Sequence, residues 1–331
     1  MGGRPVGRFA PSHLTGLPPV SWLKLVLLGG SALVLSGQET IRVDVRLVSI
    51  LATVKAPSGE PVGGLDKADF SVSDNGVAQE IAVFERRTEQ PLSVALLIDT
   101  SSSTAIKLKQ EVDSITRFLA SLFGEGHPGD SAALFSFNDT VTLQTSFSNR
   151  LPRFVQALKT LQGEGGTSLY DAIVLLSHEL ERREGRKVAV VVTDGADTTS
   201  VRTFHEALEA VQMADAVLYG LLVVPIANDP GRSIGGEHTL QQLADSTGGR
   251  MFLPTLGAEL DRAFSEILKD LRTQYYLAFY PRQVPLTKNP FHRLEVKVAR
   301  PGLRVLARTG YYGEAEGSAK GATPSWRRGR R

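Results

Sequence analysis

The sequence contains no cysteine. Disulfides, thiolate metal sites, a cysteine nucleophile and lipid attachment through sulfur are all excluded by that absence. Neither charge is in excess. The formal net charge is +2, and Lys320, Arg327, Arg328, Arg330 and Arg331 more than account for it, so residues 1–319 sum to about −3. A mildly acidic body gives no support for a nucleic-acid surface. No internal repeat is visible, and several catalytic signatures are missing. There is no G-x-S-x-G elbow. His178-Glu179 and His205-Glu206 lack the second histidine of H-E-x-x-H. GEGHPG at 124–129 satisfies G-x-G-x-x-G, but it follows a helical pattern and precedes a strand, the reverse of the dinucleotide-binding order.

What is present is a chain of 331 residues, enough for one large domain or two ordinary ones. Its 42% hydrophobic content against 22% charged content calls for a packed core rather than disorder. Arg4, Arg8 and Lys24 precede an apolar run of 11 residues, LVLLGGSALVL at 25–35, and the small residues Ser36 and Gly37 follow. That run is short for a membrane span, which needs roughly 20 apolar residues. Residues 1–37 therefore read as a secretory signal peptide, with an uncleaved N-terminal anchor as the alternative. Either reading puts the folded part outside the cytoplasm, secreted or in the periplasm and cell envelope.

The pattern of the remainder changes style twice. Residues 38–90 read as strands, with Asp74-Asn75-Gly76 splitting two alternating runs as a hairpin turn does. From 91 to 273, apolar strands alternate with helical patterns. LSVALLID at 92–99 is a near-continuous apolar run, as expected of a parallel strand buried on both faces. The following helix is expected to begin near Ala105 and to carry Ile106, Val112, Ile115, Leu119 and Leu122 on one face. KVAVVVTD at 187–194 is a second buried strand ending on aspartate, and a last helix carries Leu260, Phe264, Ile267 and Leu271. Such alternation implies an α/β fold with a doubly wound, mostly parallel sheet. At 274–313 the β style returns. The two flanking β segments are expected to pair in space as a small antiparallel β-sandwich into which the α/β domain is inserted, with two unrelated β units as the alternative. Residues 314–331 are Gly-, Ser- and Arg-rich and are expected to be a disordered basic tail, a solvated end or a weak contact to anionic envelope surfaces.

Ligands of open α/β sheets bind outside the carboxyl ends of the strands. Two strands here end on carboxylates at that edge, Asp99 and Asp194. Ser101 and Ser103 follow the first. A third loop, GEGGTSLYDA at 163–172, places Thr167 after paired glycines and directly before a helix. Two carboxylates and three hydroxyls are hard oxygen donors, which suit Mg²⁺, Mn²⁺ or Ca²⁺ rather than zinc or copper. Five protein oxygens leave room for waters and an exchangeable position. Helix capping by Ser103 or Thr104 accounts for one hydroxyl, not for a cluster. A serine nucleophile needs a general base, and none of the three loops carries a histidine. Asp197, Thr198 and Thr199 read as a polar loop, with a role in partner choice as the alternative. Asn138-Asp139-Thr140 fits a glycosylation acceptor and is given little weight.

Asp99-Thr100-Ser101-Ser102-Ser103 resembles the D-x-S-x-S motif of von Willebrand factor type A domains. Gly166-Thr167 resembles that family's second loop and Thr193-Asp194-Gly195 its third, over about residues 91–273. The resemblance implies a metal-ion-dependent adhesion site. Ser101, Ser103 and Thr167 would ligate a divalent cation directly, Asp99 and Asp194 would hold its waters, and a partner protein's carboxylate would fill the open position. The flanking stretches GLDKADFSVSDNGVAQEI (64–81) and ARTGYYG (307–313) resemble secreted bacterial proteins with this domain, described best from acidobacteria. The expected function is a non-enzymatic, secreted or envelope protein-binding module that uses Mg²⁺, or Mn²⁺ or Ca²⁺, and has no nucleic-acid or small-molecule ligand. An envelope scaffold in which metal is incidental is the runner-up. A hydrolase using metal-bound water ranks last, because no acid or base stands beyond the ligands.

Overall fold

A computed structural model describes residues 47–86, 89–223, 234–285 and 288–313. The expected leader and the basic tail lie outside the described residues. In chain order the elements are β1 (Val48–Lys55), β2 (Phe70–Asp74), β3 (Val77–Gln79), β4 (Ile81–Arg86), β5 (Leu92–Asp99) and α1 (Leu108–Glu125). Next come β6 (Ser131–Phe137), β7 (Val141–Ser148), α2 (Leu151–Leu158), α3 (Leu169–Glu181), β8 (Arg186–Thr193), α4 (Phe204–Met213) and β9 (Ala216–Leu222). The chain continues through α5 (Ile234–Thr247), β10 (Met251–Phe252), α6 (Ala258–Arg272), β11 (Tyr275–Phe279), β12 (Phe291–Val298), β13 (Arg304–Leu306) and β14 (Gly310–Tyr312).

The central sheet has six strands in the order β10-β9-β8-β5-β6-β7. All neighbours pair in parallel except β6 and β7, which are antiparallel. β5 lies in the middle and is buried at every position. Its alternation explains why. Leu92, Val94, Leu96 and Ile98 enter one core with Ile115 and Phe118 of α1 and Phe264 and Ile267 of α6. Ala95 and Leu97 enter a second core with Ile173 of α3, Val211 of α4 and Leu243 of α5. Side chains two apart share a face, so a strand covered by helices on both sides must be apolar throughout. Phe118 and Phe264 fix the contact of α1 with α6, their ring centroids 4.8 Å apart.

The flanking segments pair as expected. Two four-stranded antiparallel sheets, β13-β1-β11-β4 and β14-β12-β2-β3, each combine strands from before and after the α/β part. Ile50, Ala52, Leu277 and Phe279 of one sheet share a core with Phe70, Val72 and Leu294 of the other, which makes a sandwich. The β2–β3 hairpin turns on Asn75 and Gly76, with φ of 47° and 81°. Both values are left-handed, as a two-residue type I′ turn demands. The segment 77–86 is not one strand. It breaks at Glu80, and β3 and β4 join different sheets. The start of α1 also differs from expectation: the helix begins at Leu108, and Ile106, expected on its apolar face, precedes it and is 95% exposed.

Polar contacts link the sandwich to the α/β layers. Buried Lys55 at the end of β1 pairs with fully buried Asp270 of α6, and Arg250 approaches the other oxygen of Asp270 at 3.3 Å. Buried Arg186 donates to the backbone oxygens of Gln90 and Leu271, at the chain's two passages between the layers. Removing one member of a buried pair strands the other charge, at a cost of about 3–5 kcal/mol. Lys55→Met should therefore lower unfolding stability by about 3 kcal/mol, and adding Asp270→Leu should restore much of it. Denaturant midpoints for the two variants check this.

Candidate functional site

Asp99 ends β5, and Thr193 ends the adjacent β8, so both stand at the carboxyl edge of the sheet. Asp99 is fully buried. One carboxylate oxygen accepts the Ser101 N–H at 2.8 Å, and the other accepts the Thr193 hydroxyl at 2.5 Å. Burial pushes the Asp99 carboxyl up, these hydrogen bonds pull it back, and nearby Asp194 adds to the rise. Ser101 Oγ and Ser103 Oγ share a hydrogen bond of 3.1 Å, and Ser103 Oγ donates to Asp194 Oδ1 at 2.8 Å. Four of the five expected residues thus meet at one end of the sheet. Thr104 is not the helix cap. Its hydroxyl donates to the backbone oxygens of Asp99 and Ser101, closing the turn that carries the two serines. Lys107 occupies the position before α1 and makes no side-chain cap.

The second loop is locked against the first by the backbone. Glu164 N–H donates to Thr100 O at 2.9 Å, and Ser102 N–H donates to Gly165 O at 3.1 Å. Gly163 packs so closely that a Cβ there would lie 2.5 Å from Ala105 Cα. Thr167 is buried in this loop, and its N–H donates to Thr198 Oγ1 at 2.9 Å. Among the described residues, no hydrogen bond joins its hydroxyl to the other four. The polar loop after Asp194 therefore has a positioning role. Thr198 holds Thr167 from both sides, since its N–H also donates to Thr167 O at 2.8 Å, and Thr199 hydrogen-bonds Ser168. Asp139, given no role from sequence, accepts the Gly166 N–H at 3.0 Å and steadies the paired glycines.

Two more residues escaped the sequence reading. Lys107 Nζ donates to Asp194 Oδ2 at 2.6 Å, and the pair is largely buried. One helical turn further, Glu111 is 1% exposed, and neither carboxylate oxygen has a hydrogen-bond partner. Burial raises its carboxyl from the ordinary 4.5 to about 8, Asp194 and Asp99 reinforce the rise, and Lys107 opposes it. A signal was available: Glu111 falls on the same stripe as Leu108, Ile115, Phe118 and Leu122, all buried. A carboxylate in an apolar stripe needs a reason. Among the described residues, no group of three or more His, Cys, Asp or Glu could hold a metal, so a cation here would depend on hydroxyls and water. A separate cleft of about 310 Å³ opens at the amino ends of β8 and β9, lined by Arg186, Lys187, Ala216 and Arg308, and contains none of these residues.

Residues 94–196 match the family model of the von Willebrand factor type A domain, a stretch that includes all three loops. The chain carries a von Willebrand factor type A domain. Solved structures resemble it at low identity. The type A domain of the type V pili tip protein Mfa5 from Porphyromonas gingivalis is 14% identical, over 54% of this chain and 94% of that one, with a TM-score of 0.45. The PilB minor pilin from Streptococcus sanguinis is 13% identical, over 56% of this chain and 62% of that one, with a TM-score of 0.45. This chain thus spans less than two thirds of that pilin's length. A type A protein from Catenulispora acidiphila is 10% identical, over 82% of this chain and 75% of that one, with a TM-score of 0.47. Likeness at this level says nothing about what the present type A domain binds. No curated protein matches the sequence. Among the described residues, no helix is long and apolar enough to cross a membrane.

Glu111 makes the stability of the type A domain depend on pH in a defined direction. A carboxyl whose folded pKa lies above its unfolded value binds more protons when folded, so its contribution falls as pH rises between the two. That window runs from 4.5 to about 8. With chelator present, Glu111→Gln should be more stable than wild type by roughly 2 kcal/mol or more at pH 8.5 and about equal at pH 4.5. Urea midpoints at the two pH values check both the sign and the window.

Proposed function

We propose that this protein is a non-enzymatic, divalent-cation-dependent binding module acting outside the cytoplasm, secreted or in the cell envelope. Ser101, Ser103 and Thr167 would hold Mg²⁺ directly, with Mn²⁺ or Ca²⁺ as substitutes, and Asp99 and Asp194 would hold its waters. A carboxylate on a partner protein completes the coordination. The observation that carries the reading is the array of Asp99, Ser101, Ser103 and Asp194 at the carboxyl edge of the sheet, to which an ammonium group is already drawn.

The chemistry of the donors supports it. All are hydroxyl or carboxylate oxygens, the set that hard cations prefer. Asp99, Asp194 and Glu111 place three carboxyl groups close enough to feel one another, against the single ammonium of Lys107. Added positive charge is favourable in such surroundings. A cation held by few anionic ligands keeps residual positive charge, so an incoming carboxylate supplies attraction and specificity together. Ile106, three residues beyond Ser103 in sequence, is 95% exposed and offers apolar contact area to a partner.

A second reading has one observation in its favour. Lys107 already neutralises Asp194, so the domain could pack in an envelope assembly with no metal at all. Thermal melting separates the two. Saturating Mg²⁺ should raise the melting temperature by roughly 5 °C over the EDTA-treated protein, and Asp99→Ala or Ser101→Ala should abolish the increase. Identical melting curves in EDTA and in excess Mg²⁺ would leave only the scaffold reading.

A further inference from the structure

Lys107 and Glu111 are four residues apart and joined by a helical hydrogen bond, Glu111 N–H to Lys107 O at 3.2 Å. Side chains at this spacing lie on one face, one turn apart. Helical side chains lean towards the N-terminus, so that of Glu111 leans back towards the turn that carries Lys107. Lys107 is bound to Asp194, and Glu111 has no hydrogen-bond partner although it is 1% exposed. One ammonium is therefore bound to one carboxylate and within electrostatic reach of a second, unpartnered carboxyl group.

Resting on the cation-binding reading, we infer that Lys107 is a built-in competitor for the cation position and that Glu111 is the partner to which it transfers when a divalent cation engages Asp194. Two positive groups cannot share the Asp194 oxygens without strong repulsion in a buried setting. A displaced ammonium left unpaired there would cost several kcal/mol by desolvation, and Glu111 removes that cost one turn away, its carboxyl releasing its proton to solvent as the ammonium arrives. The arrangement also gives Glu111 a purpose. A buried carboxyl without partners is expensive, and apolar side chains surround it on the stripe of α1. Ser103 links the two events, because it donates to the other oxygen of the same Asp194 carboxylate. Cation binding, release of Lys107 and reorientation of the Ser103 hydroxyl are then one step. The intrinsic affinity of the oxygen donors is reduced by the work of moving the lysine.

A double-mutant cycle on Mg²⁺ affinity, measured by calorimetry on the whole protein, tests this. Lys107→Met should tighten Mg²⁺ binding by about ten-fold or more. Loss of a merely structural ion pair would loosen it. Glu111→Gln should weaken Mg²⁺ binding several-fold in the wild-type background and change it by less than about two-fold in the Lys107→Met background. An equal weakening in both backgrounds would mean that Glu111 acts on the cation itself, and the transfer would be wrong. Unchanged or weaker binding by Lys107→Met would overturn the competition, and this arm is readable even if Glu111→Gln does not fold. If Mg²⁺ binds neither wild type nor Lys107→Met, the cation-binding reading fails and takes this inference with it. If both bind with equal affinity, the inference alone fails.

Discussion

A buried carboxyl group at the end of the central strand is the constraint around which the edge of this sheet is arranged. Asp99 is buried, and two flanking groups satisfy its oxygens in place of bulk solvent: the Ser101 N–H and the Thr193 hydroxyl. An ionised carboxylate out of water is unstable without such donors. Each donor belongs to a neighbouring piece of chain, so satisfying Asp99 also fixes the turn after β5 and the end of β8. The Thr104 hydroxyl then holds the turn closed, which leaves Ser101 and Ser103 facing Asp194. The site is a consequence of strand order as much as of residue type. β5 and β8 are sequence-distant but adjacent, and only their pairing brings residues 99 and 194 together.

The layers behind the edge supply rigidity. α1 and α6 cover one face and α3 to α5 the other, so the strand ends have little freedom to move. The loops are tied to one another as well as to the sheet. From Asp139 through Gly166, Thr167 and Thr198, the Asp139 carboxylate and the Thr198 hydroxyl accept backbone N–H groups, and Thr198 N–H donates to Thr167 O, so each step pins the main chain of the loop. Beyond the α/β part, β1 and β11 return the chain to a common sandwich, and Lys55–Asp270 connects it with α6.

Much of this was legible in the sequence, for reasons that can be named. β5 could be read because its apolar run has no polar interruption before Asp99. The Asn75-Gly76 hairpin could be read because few residue pairs accept two left-handed conformations in succession. The D-x-S-x-S spacing and the strand-ending aspartates marked the site because oxygen donors clustered where an α/β sheet exposes its strand ends. What escaped depended on tertiary packing. Glu80 looks like any polar strand residue, yet the chain changes sheets there. Ile106 fits the helical period but precedes the helix, because Thr104 spends its hydroxyl on the Asp99 turn instead of capping. Asp139 and Thr198 act on backbone groups far away in sequence, which no local pattern reveals. Lys107 has an ordinary position next to a helix start, and its partner Asp194 is 87 residues away.

The central claim is that the oxygen array at this edge attracts a divalent cation in place of the lysine ammonium. The most direct measurement is anomalous X-ray diffraction from crystals of the protein equilibrated with Mn²⁺. The account predicts one strong peak beside the Ser101 and Ser103 hydroxyls and the Asp194 carboxylate, with Lys107 turned away from Asp194. Well-ordered crystals with no anomalous peak at this edge, and with Lys107 still bound to Asp194, would contradict it.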